Sequence, residues 1–134
     1  IIFDASRDQQ FLRMKEKIIN IINEIINKNG FIVLDGSQGT EAEKYGVKYR
    51  NSLWSSQLII DDPKLIKKIH QSYLEAGSDV ITTFSYQASI PGFAREGYSD
   101  KEAATFLNSS IDIAKGAVDD FLEHQKELCN KSII

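Results

Sequence analysis

The sequence predicts an α/β fold in which parallel strands alternate with helices. Two stretches favour extended structure: an apolar run at 31–34 and a run rich in β-branched residues at 79–86. Apolar residues at three- and four-residue steps predict helices before, between and after these runs. Alternating elements of this kind pair their strands in parallel through right-handed crossovers. The 134 residues therefore predict a helix, a strand, a helix, a strand, a helix and the start of a third strand.

The first element is an amphipathic helix over about residues 7–28. Its apolar residues recur on one side, while Lys15, Glu16 and Glu24 lie largely opposite. Gly30 suits the left-handed conformation that commonly ends a helix. We expect this helix to pack through its apolar residues, which are Leu12, Ile18, Ile19, Ile22, Ile25 and Ile26.

The first strand is predicted at 31–34, where glycines bound a continuous apolar run. Such a run is typical of a strand that is buried on both faces. Asp35 follows at its carboxyl end and begins a loop that contains two glycines. Thr40 and Glu43 have the spacing of a capping box, which predicts a short helix from there.

Residues 47–61 show no clear period and contain the only tryptophan, Trp54. An irregular stretch of this length inside a domain is often functional. Trp54 is either a lid over a binding site or a core residue, and its polar neighbours in sequence favour the loop position.

The second helix begins at Asp62 and Pro63, an N-cap residue followed by a proline at the first helical position. The second strand then follows at 79–86. Residues 87–98 are predicted to form a loop, because they contain a proline and two glycines.

The last helix begins at a second capping box, formed by Ser99 and Glu102, and runs to about Glu123 or Glu127. The final residues, 131–134, are typical of the opening of a third strand.

A binding site is predicted where the two strands end, because parallel α/β folds bind ligands at the carboxyl ends of their strands. The first strand delivers Asp35 and the backbone of Gly36, and the second delivers polar residues from Thr82 to Gln87. Gly36 would let a ligand approach the backbone closely. Asp35 either binds a substrate ammonium group or acts as a base, or else it caps the turn; the spacing leaves these alternatives open.

Charge and composition exclude several classes of function. The net charge is −3, so no basic field attracts nucleic acid or an anionic membrane. No apolar run approaches the roughly 18 residues that a membrane helix needs. The single cysteine, Cys129, excludes a disulfide framework within the chain. We expect a cytoplasmic protein with no nucleic-acid or membrane partner.

Two further kinds of site are disfavoured. The glycine loop at 36–40 lacks the Gly-Lys-Ser/Thr ending of a P-loop, which argues against phosphate binding. His70 and His124 have no second His or Cys at ligand spacing, so we expect both to be satisfied or exposed structural histidines.

Three ordered blocks resemble the homocysteine S-methyltransferase family. The first-strand signature is LDGSQGTE at 34–41, and Leu53-Trp54-Ser55 resembles the next block. The second-strand block is YLEAGSDVITTFSYQAS at 73–89, and the similarity continues through Gly92-Phe93 and 97–99. The resemblance runs from about Phe31 to the end of the sequence.

The resemblance implies the N-terminal portion of a (β/α)8 TIM barrel. Residues 1–134 would be a partial homocysteine-binding domain, with an N-terminal helix at 1–29 and the first βα units at 30–134. Family members transfer a methyl group to the thiol of homocysteine and so form methionine. Those similar to this sequence take the methyl from a sulfonium donor, S-methylmethionine or S-adenosylmethionine.

The motif match also implies roles for five residues. Asp35 and Gly36 would contact homocysteine, Asp35 through the amino group. Trp54, Tyr86 and Gln87 would lie where the mouth of the site meets the methyl donor. The resemblance assigns no catalytic residue within this chain.

The family's zinc site is where this sequence departs from the resemblance. Family members bind zinc through three cysteines, one after a Gly-x-Asn pattern and two after paired glycines, and zinc makes the substrate thiol a thiolate. None of these patterns occurs here, and Cys129 matches none of them. A barrel of this kind takes about 250 residues, so we expect no metal ligand in this chain and no activity from the chain alone.

Two other functions remain open. The chain is alternatively a truncated, non-catalytic product that acts at most as a binding or interaction module. A different barrel enzyme that uses Asp35 as a base would explain the architecture but not the three blocks.

Overall fold

Helices make up most of the chain in the computed structural model, which describes residues 5–49 and 51–131. The chain divides into two units, one up to Val33 and one from Leu34 onward. Among the described residues, no helix is both long enough and apolar enough to cross a membrane.

The first unit contains helix α1, Ala5–Asn29. The amphipathic pattern at 7–28 is confirmed as a helix. Gly30 ends it with φ +80°, and its amide donates to the carbonyl of Ile26 at 2.7 Å, as expected of a left-handed cap. The predicted packing face is largely exposed: Leu12 and Ile19 are 57% and 54% exposed. Periodicity thus predicts the helix correctly but not the burial of its apolar side.

The second unit contains, within its described residues, five α-helices and one 3₁₀ turn. The elements are α2 (Gln38–Lys44), the 3₁₀ turn (Trp54–Gln57), α3 (Leu58–Asp61), α4 (Pro63–Glu75), α5 (Ile90–Arg95) and α6 (Asp100–Lys131). Helix α4 packs along α6, and this contact forms the centre of the unit.

Two apolar clusters form the core of the second unit. The first lies between α4 and the segments around it and contains Ala42, Leu58, Ile59, Ile66, Ile69 and Phe84; the second contains Leu53, Phe93 and Ala103. Phe106 of α6 packs against both clusters and so joins them. Each fully buried large apolar side chain contributes about 1.5–3 kcal/mol of transfer free energy. The core therefore holds the backbone in place at Leu53 and Phe84. Residues with polar side chains adjoin both positions in the sequence.

The predicted α/β fold, the N-terminal portion of a (β/α)8 TIM barrel, is wrong for this structure. The described residues form no strand: the two predicted strands meet at one isolated parallel bridge, Leu34 with Val80. The amide of Asp35 donates to the carbonyl of Val80 at 3.0 Å.

The physical reason lies in the surroundings of these residues. Strands of a parallel sheet are stabilised by neighbours on both edges and by layers on both faces. Phe31 and Leu34 are each 62% exposed, and Val80 is 37% exposed. Without that burial, the β-propensity of an apolar run does not produce a ladder.

Two of the three predicted N-terminal caps are confirmed. The Asp62 carboxylate accepts from the amide of Leu65 at 3.0 Å and caps α4. Glu102 accepts from the amide and hydroxyl of Ser99 at 2.8 and 2.6 Å, which forms the capping box of α6.

The capping box predicted at Thr40 and Glu43 is wrong. Helix α2 begins earlier, because Ser37 is its N-cap and accepts from the amide of Thr40 at 3.4 Å. Thr40 therefore lies inside the first turn rather than before it.

Helix α5 was not predicted within the loop at 87–98. Its signal was present: the Ser89 hydroxyl accepts from the amide of Gly92 at 3.1 Å, and Pro91 lies in the first turn. The third strand predicted at 131–134 is not found at Lys131, which is the last residue of α6, and 132–134 lie outside the described residues.

Candidate functional site

A cleft of about 490 Å³ lies where the predicted site residues converge in the second unit. This volume is within the usual range of small-molecule sites. Three segments of the chain form its walls. The lining residues are Gly36, Ser37, Gln38, Gly39, Trp54, Ser55, Thr82, Thr83, Ser85 and Tyr86.

The wall from Thr82 to Tyr86 is held in place by the side chain between its polar residues. Phe84 is fully buried in the core, and its carbonyl accepts from the hydroxyl of Ser56 at 2.8 Å. Thr83 and Ser85, the residues on either side of Phe84, both line the cleft. The hydroxyls of Thr83 and Ser85 lie 2.7 Å apart on that wall.

Asp35 lies beside the cleft and ties two of its walls together. Its carboxylate accepts from the amide of Thr82 at 2.9 Å and from the Thr82 hydroxyl at 3.1 Å. The Gln38 amide nitrogen donates to Asp35 at 3.3 Å and also to the carbonyl and hydroxyl oxygens of Thr82. This network was not predicted, because Gln38 and Thr82 are 44 positions apart in sequence.

The two oxygens of the Asp35 carboxylate are used unequally. Within the described structure, Oδ2 accepts from Gln38 and from the amide of Thr82. The single hydroxyl proton of Thr82 is shared between Oδ1 and Oδ2, each 3.1 Å from the hydroxyl oxygen, and is the one described donor to Oδ1. The structural role of Asp35 and a role in binding an ammonium group are therefore compatible, since Oδ1 keeps acceptor capacity.

Gly36 lines the cleft at a point where a side chain would not fit. A Cβ atom there would lie 2.9 Å from the hydroxyl oxygen of Tyr73. That hydroxyl donates to the carbonyl of Ser37 at 3.2 Å, and burial raises the pKa of Tyr73, with a smaller contribution from Glu41. Tyr73 thus supports the glycine turn, a role that its position in the sequence does not reveal.

Trp54 also lines the cleft, and its backbone has a strained conformation. Its φ is +47°, which is unusual for a residue other than glycine and costs about 1–2 kcal/mol. The side chain is 40% exposed, which excludes the core position that the sequence left open. Strained residues of this kind cluster at ligand-binding and switch sites.

The two remaining predicted residues differ in their placement. Tyr86 lines the cleft and is 83% exposed, so most of its ring is available for contact. Gln87 is also exposed, but it is not among the described residues that line the cleft.

The described residues do not fit a zinc site. Zinc in proteins is held by Cys, His, Asp or Glu side chains, whereas the cleft is lined by hydroxyl, amide and aromatic side chains. In the described part of the chain, no group of three such ligands lies close enough together to hold a metal ion. The side chain of Cys129 lies outside the described residues.

His70 lies beneath the cleft and contradicts the prediction of a satisfied or exposed histidine. It is fully buried, its ring meets Phe84 edge-on at 5.5 Å, and both ring nitrogens lack a described hydrogen-bond partner. Burial lowers its pKa, while the nearby charge of Asp35 opposes the shift. His124, in contrast, is exposed as predicted.

The chain is similar to known methyltransferases over most of its length. The family model described as homocysteine S-methyltransferase matches residues 32–132. Identity is 38% over 113 residues with homocysteine S-methyltransferase YbgG of Bacillus subtilis, and 39% over 118 residues with homocysteine S-methyltransferase 1 of Arabidopsis thaliana. These alignments cover 84% and 87% of this chain, but 36% of each relative.

A solved structure gives the same result. The chain matches homocysteine methyltransferase MmuM from Escherichia coli, known in an oxidized and a metallated form, with a TM-score of 0.72 and 31% identity. The match covers 78% of this chain and 36% of that one. The chain therefore spans about a third of the length of the relatives that it matches.

Proposed function

Since this chain belongs to the homocysteine S-methyltransferase family, we propose that its cleft binds homocysteine for methyl transfer to the thiol. In that reaction the homocysteine sulfur bonds to the methyl carbon, and the bond from that carbon to the donor sulfonium breaks. The thiol loses its proton, the products are methionine and the donor as a neutral thioether, and charge is conserved. The observation that supports the proposal is that residues of all three family blocks line one cleft.

The amino-acid end of homocysteine fits the side of the cleft next to Asp35. Oδ1 of Asp35 accepts one described hydrogen bond, so it can accept another from an ammonium group. Gly36 offers backbone rather than side chain at this position, which lets a ligand approach closely.

The methyl donor fits the aromatic side of the cleft. The aromatic residues Trp54 and Tyr86 line this side, and a sulfonium cation is attracted to the face of an aromatic ring. S-methylmethionine and S-adenosylmethionine both carry that cation. We place Gln87 at the rim of the donor side, as an exposed residue adjacent to Tyr86.

Homocysteine binding tests this proposal directly. Titration calorimetry of the 134-residue chain with homocysteine should show saturable binding. Asp35→Asn should weaken it about tenfold or more, because a hydrogen bond to a charged group contributes about 1.5–3 kcal/mol. The asparagine keeps an oxygen for the hydrogen bonds from Thr82, so circular dichroism should stay unchanged.

Asp112→Asn is the matched control, since Asp112 is an exposed carboxylate on α6 away from the cleft. It should leave homocysteine affinity unchanged. A wild-type chain that does not bind homocysteine would show that the cleft is not the proposed site.

A second candidate function is binding without turnover. It is favoured by the composition of the cleft, whose described lining contains no thiol, imidazole or carboxylate side chain. The chain alone, supplied with zinc and either sulfonium donor, should form no methionine detectable by mass spectrometry. Methionine formed by the purified chain would contradict this candidate.

The transferase activity itself is tested on the longest polypeptide that the gene encodes. Methionine formation from homocysteine and S-methylmethionine or S-adenosylmethionine is the expected result. A longer product that forms no methionine with either donor would overturn the methyltransferase proposal.

A further inference from the structure

The side chain of Gln38 is buried at the edge of the cleft. Gln38 is the first residue of α2 and is only 9% exposed, although it lines the cleft. Its amide nitrogen, Nε2, donates to the carbonyl oxygen of Thr82, to the Thr82 hydroxyl at 2.9 Å and to Oδ2 of Asp35 at 3.3 Å. These three acceptors share the two protons of the amide. The amide group is therefore fixed at the point where Asp35 meets Thr82.

The Thr82 hydroxyl has a single proton, and Gln38 directs it. A hydroxyl donates one hydrogen bond and accepts up to two. Because Gln38 donates to Oγ1 of Thr82, that side of the hydroxyl is an acceptor. The proton is left for the Asp35 carboxylate, whose two oxygens each lie 3.1 Å from Oγ1.

Asp35 is held in a fixed orientation in this way. The terminal torsion of an aspartate side chain has a broad range, so a carboxylate without partners rotates readily. Here Oδ2 accepts from the Thr82 amide at 2.9 Å and from Gln38, and rotation would break both hydrogen bonds. Oδ1 keeps the capacity to accept from a ligand. A group that is already oriented before the ligand arrives loses less conformational entropy on binding.

We propose that Gln38 is a positioning residue that orients Asp35 for the amino group of homocysteine. It acts through Thr82 and Asp35: it donates to Oδ2, directs the Thr82 hydroxyl and so leaves Oδ1 for the ammonium group. The inference deepens the proposed function and rests on it, because it takes the ligand to be homocysteine. It concerns the amino-acid side of the cleft, so it leaves the place of the sulfonium donor at Trp54 and Tyr86 unchanged.

The test compares two ligands, homocysteine and 4-mercaptobutanoate, which is homocysteine without its amino group. Gln38→Met fills similar space with a flexible side chain but donates no hydrogen bond. In NMR titrations of this variant, the affinity for homocysteine should fall about fivefold or more, because the orientation of a charged acceptor is lost. The affinity for 4-mercaptobutanoate should change less than about twofold. Equal losses for both ligands, or no loss for homocysteine, overturn the proposal.

Two further variants separate positioning from a loss of structure, and circular dichroism checks that each is folded. Gln71→Met is the matched control, since Gln71 donates to the Asp120 carboxylate at the same 3.3 Å and neither residue is among the described lining of the cleft. It should leave both affinities unchanged. Thr82→Val removes the hydroxyl between Gln38 and Asp35 at an exposed residue, and should weaken homocysteine binding selectively, as Gln38→Met does. A Thr82→Val chain with wild-type affinities shows that Gln38 does not act through Thr82 and overturns the proposal.

Combination with Asp35→Asn shows whether Gln38 acts through Asp35. Asparagine carries no charge for the ammonium group, so no charge remains for Gln38 to position. In the Asp35→Asn background, Gln38→Met should therefore change homocysteine affinity by less than about twofold, which is the non-additivity expected of residues in one hydrogen-bond network. An equal loss with and without the Asp35 charge would show that Gln38 binds the ligand by itself, and the proposal is then wrong.

Hydrogen exchange of the Thr82 amide provides a measurement that needs no ligand. This amide donates to Oδ2 of Asp35, so a carboxylate that rotates more freely should protect it less. Exchange followed by NMR should be faster in Gln38→Met and unchanged in Gln71→Met; an unchanged rate in Gln38→Met overturns the positioning of Asp35.

The two proposals fail in different ways. A wild type that binds homocysteine, with no selective loss in Gln38→Met, refutes the positioning role and leaves the proposed function in place. A wild type that binds no homocysteine, with faster Thr82 exchange in Gln38→Met, refutes the proposed function and confirms that Gln38 positions Asp35.

Discussion

Helices α1 and α4 have similar amphipathic patterns but different surroundings. In α4, Ile66 and Ile69 are fully buried in the core of the second unit. In α1, Ile18 and Ile19 are 51% and 54% exposed. A period of three and four residues therefore predicts a helix, whereas the burial of its apolar side depends on what the rest of the chain places beside it.

The largest effect on stability should come from truncating an isoleucine in α4, with the same truncation in α1 as the comparison. Ile69→Ala in α4 should lower the free energy of unfolding by about 2–5 kcal/mol, because it removes buried methyl groups and leaves a cavity. Ile19→Ala in α1 should change it by no more than about 0.5 kcal/mol, as at exposed positions. Urea unfolding followed by circular dichroism measures both, and equal losses would remove the distinction between the helices.

A second effect should come from the buried histidine of α4. Burial lowers the pKa of His70 below its usual value of about 6.5, so the unfolded chain binds a proton that the folded chain does not. The part of the free energy of unfolding that depends on a neutral His70 is fully present above about pH 6.5. It is lost as the pH falls from there toward the pKa that His70 has in the folded chain. The loss should not exceed about 1.4 kcal/mol per pH unit.

Urea unfolding between pH 7.5 and 5 measures this loss. His70→Phe should flatten the pH dependence, because it removes the titrating group. The control is His124→Gln, which changes an exposed histidine and should leave the dependence as in the wild type. If the free energy of unfolding of the wild type stays constant over this pH range, the pKa of His70 is not lowered in the folded chain.

The smallest effect should come from the caps at the helix ends. Asp62→Ala removes the side-chain acceptor for the Leu65 amide at the start of α4, and should cost about 1 kcal/mol. Gly30→Ala at the end of α1 places a Cβ in open space at φ +80°, so it should cost a similar amount through backbone strain alone. Thermal melting of both variants measures the two costs, and a larger loss at Gly30 would show that α1 makes contacts beyond its own turn.

Local signals in the sequence predicted the positions of helices α1, α4 and α6, but not those of α3 and α5. The caps at Asp62 and Ser99 were predictable because donor and acceptor lie within three residues of each other. The resemblance to a family of methyltransferases rested on contiguous motifs, and the comparison of residues 32–132 with the family model confirmed it.

Features that depend on distant residues were not predictable in this way. The strand predicted at 31–34 does not form because a β-ladder requires partners, and the described residues supply a single bridge, at Leu34. Gln38 appeared to be an ordinary loop residue until the fold brought it to Thr82. The lack of a described hydrogen-bond partner for the ring of His70 could not be foreseen either, because it depends on which residues the fold places around the ring.

Neighbouring residues encode helices α1, α4 and α6 and the caps at Asp62 and Ser99, and contiguous motifs encode the family. Folding sets which apolar faces are buried, how the Asp35 carboxylate joins two segments, and that Trp54 lies at the cleft. The physical reason is that burial, cross-chain hydrogen bonds and imposed backbone strain arise between residues that meet only after folding.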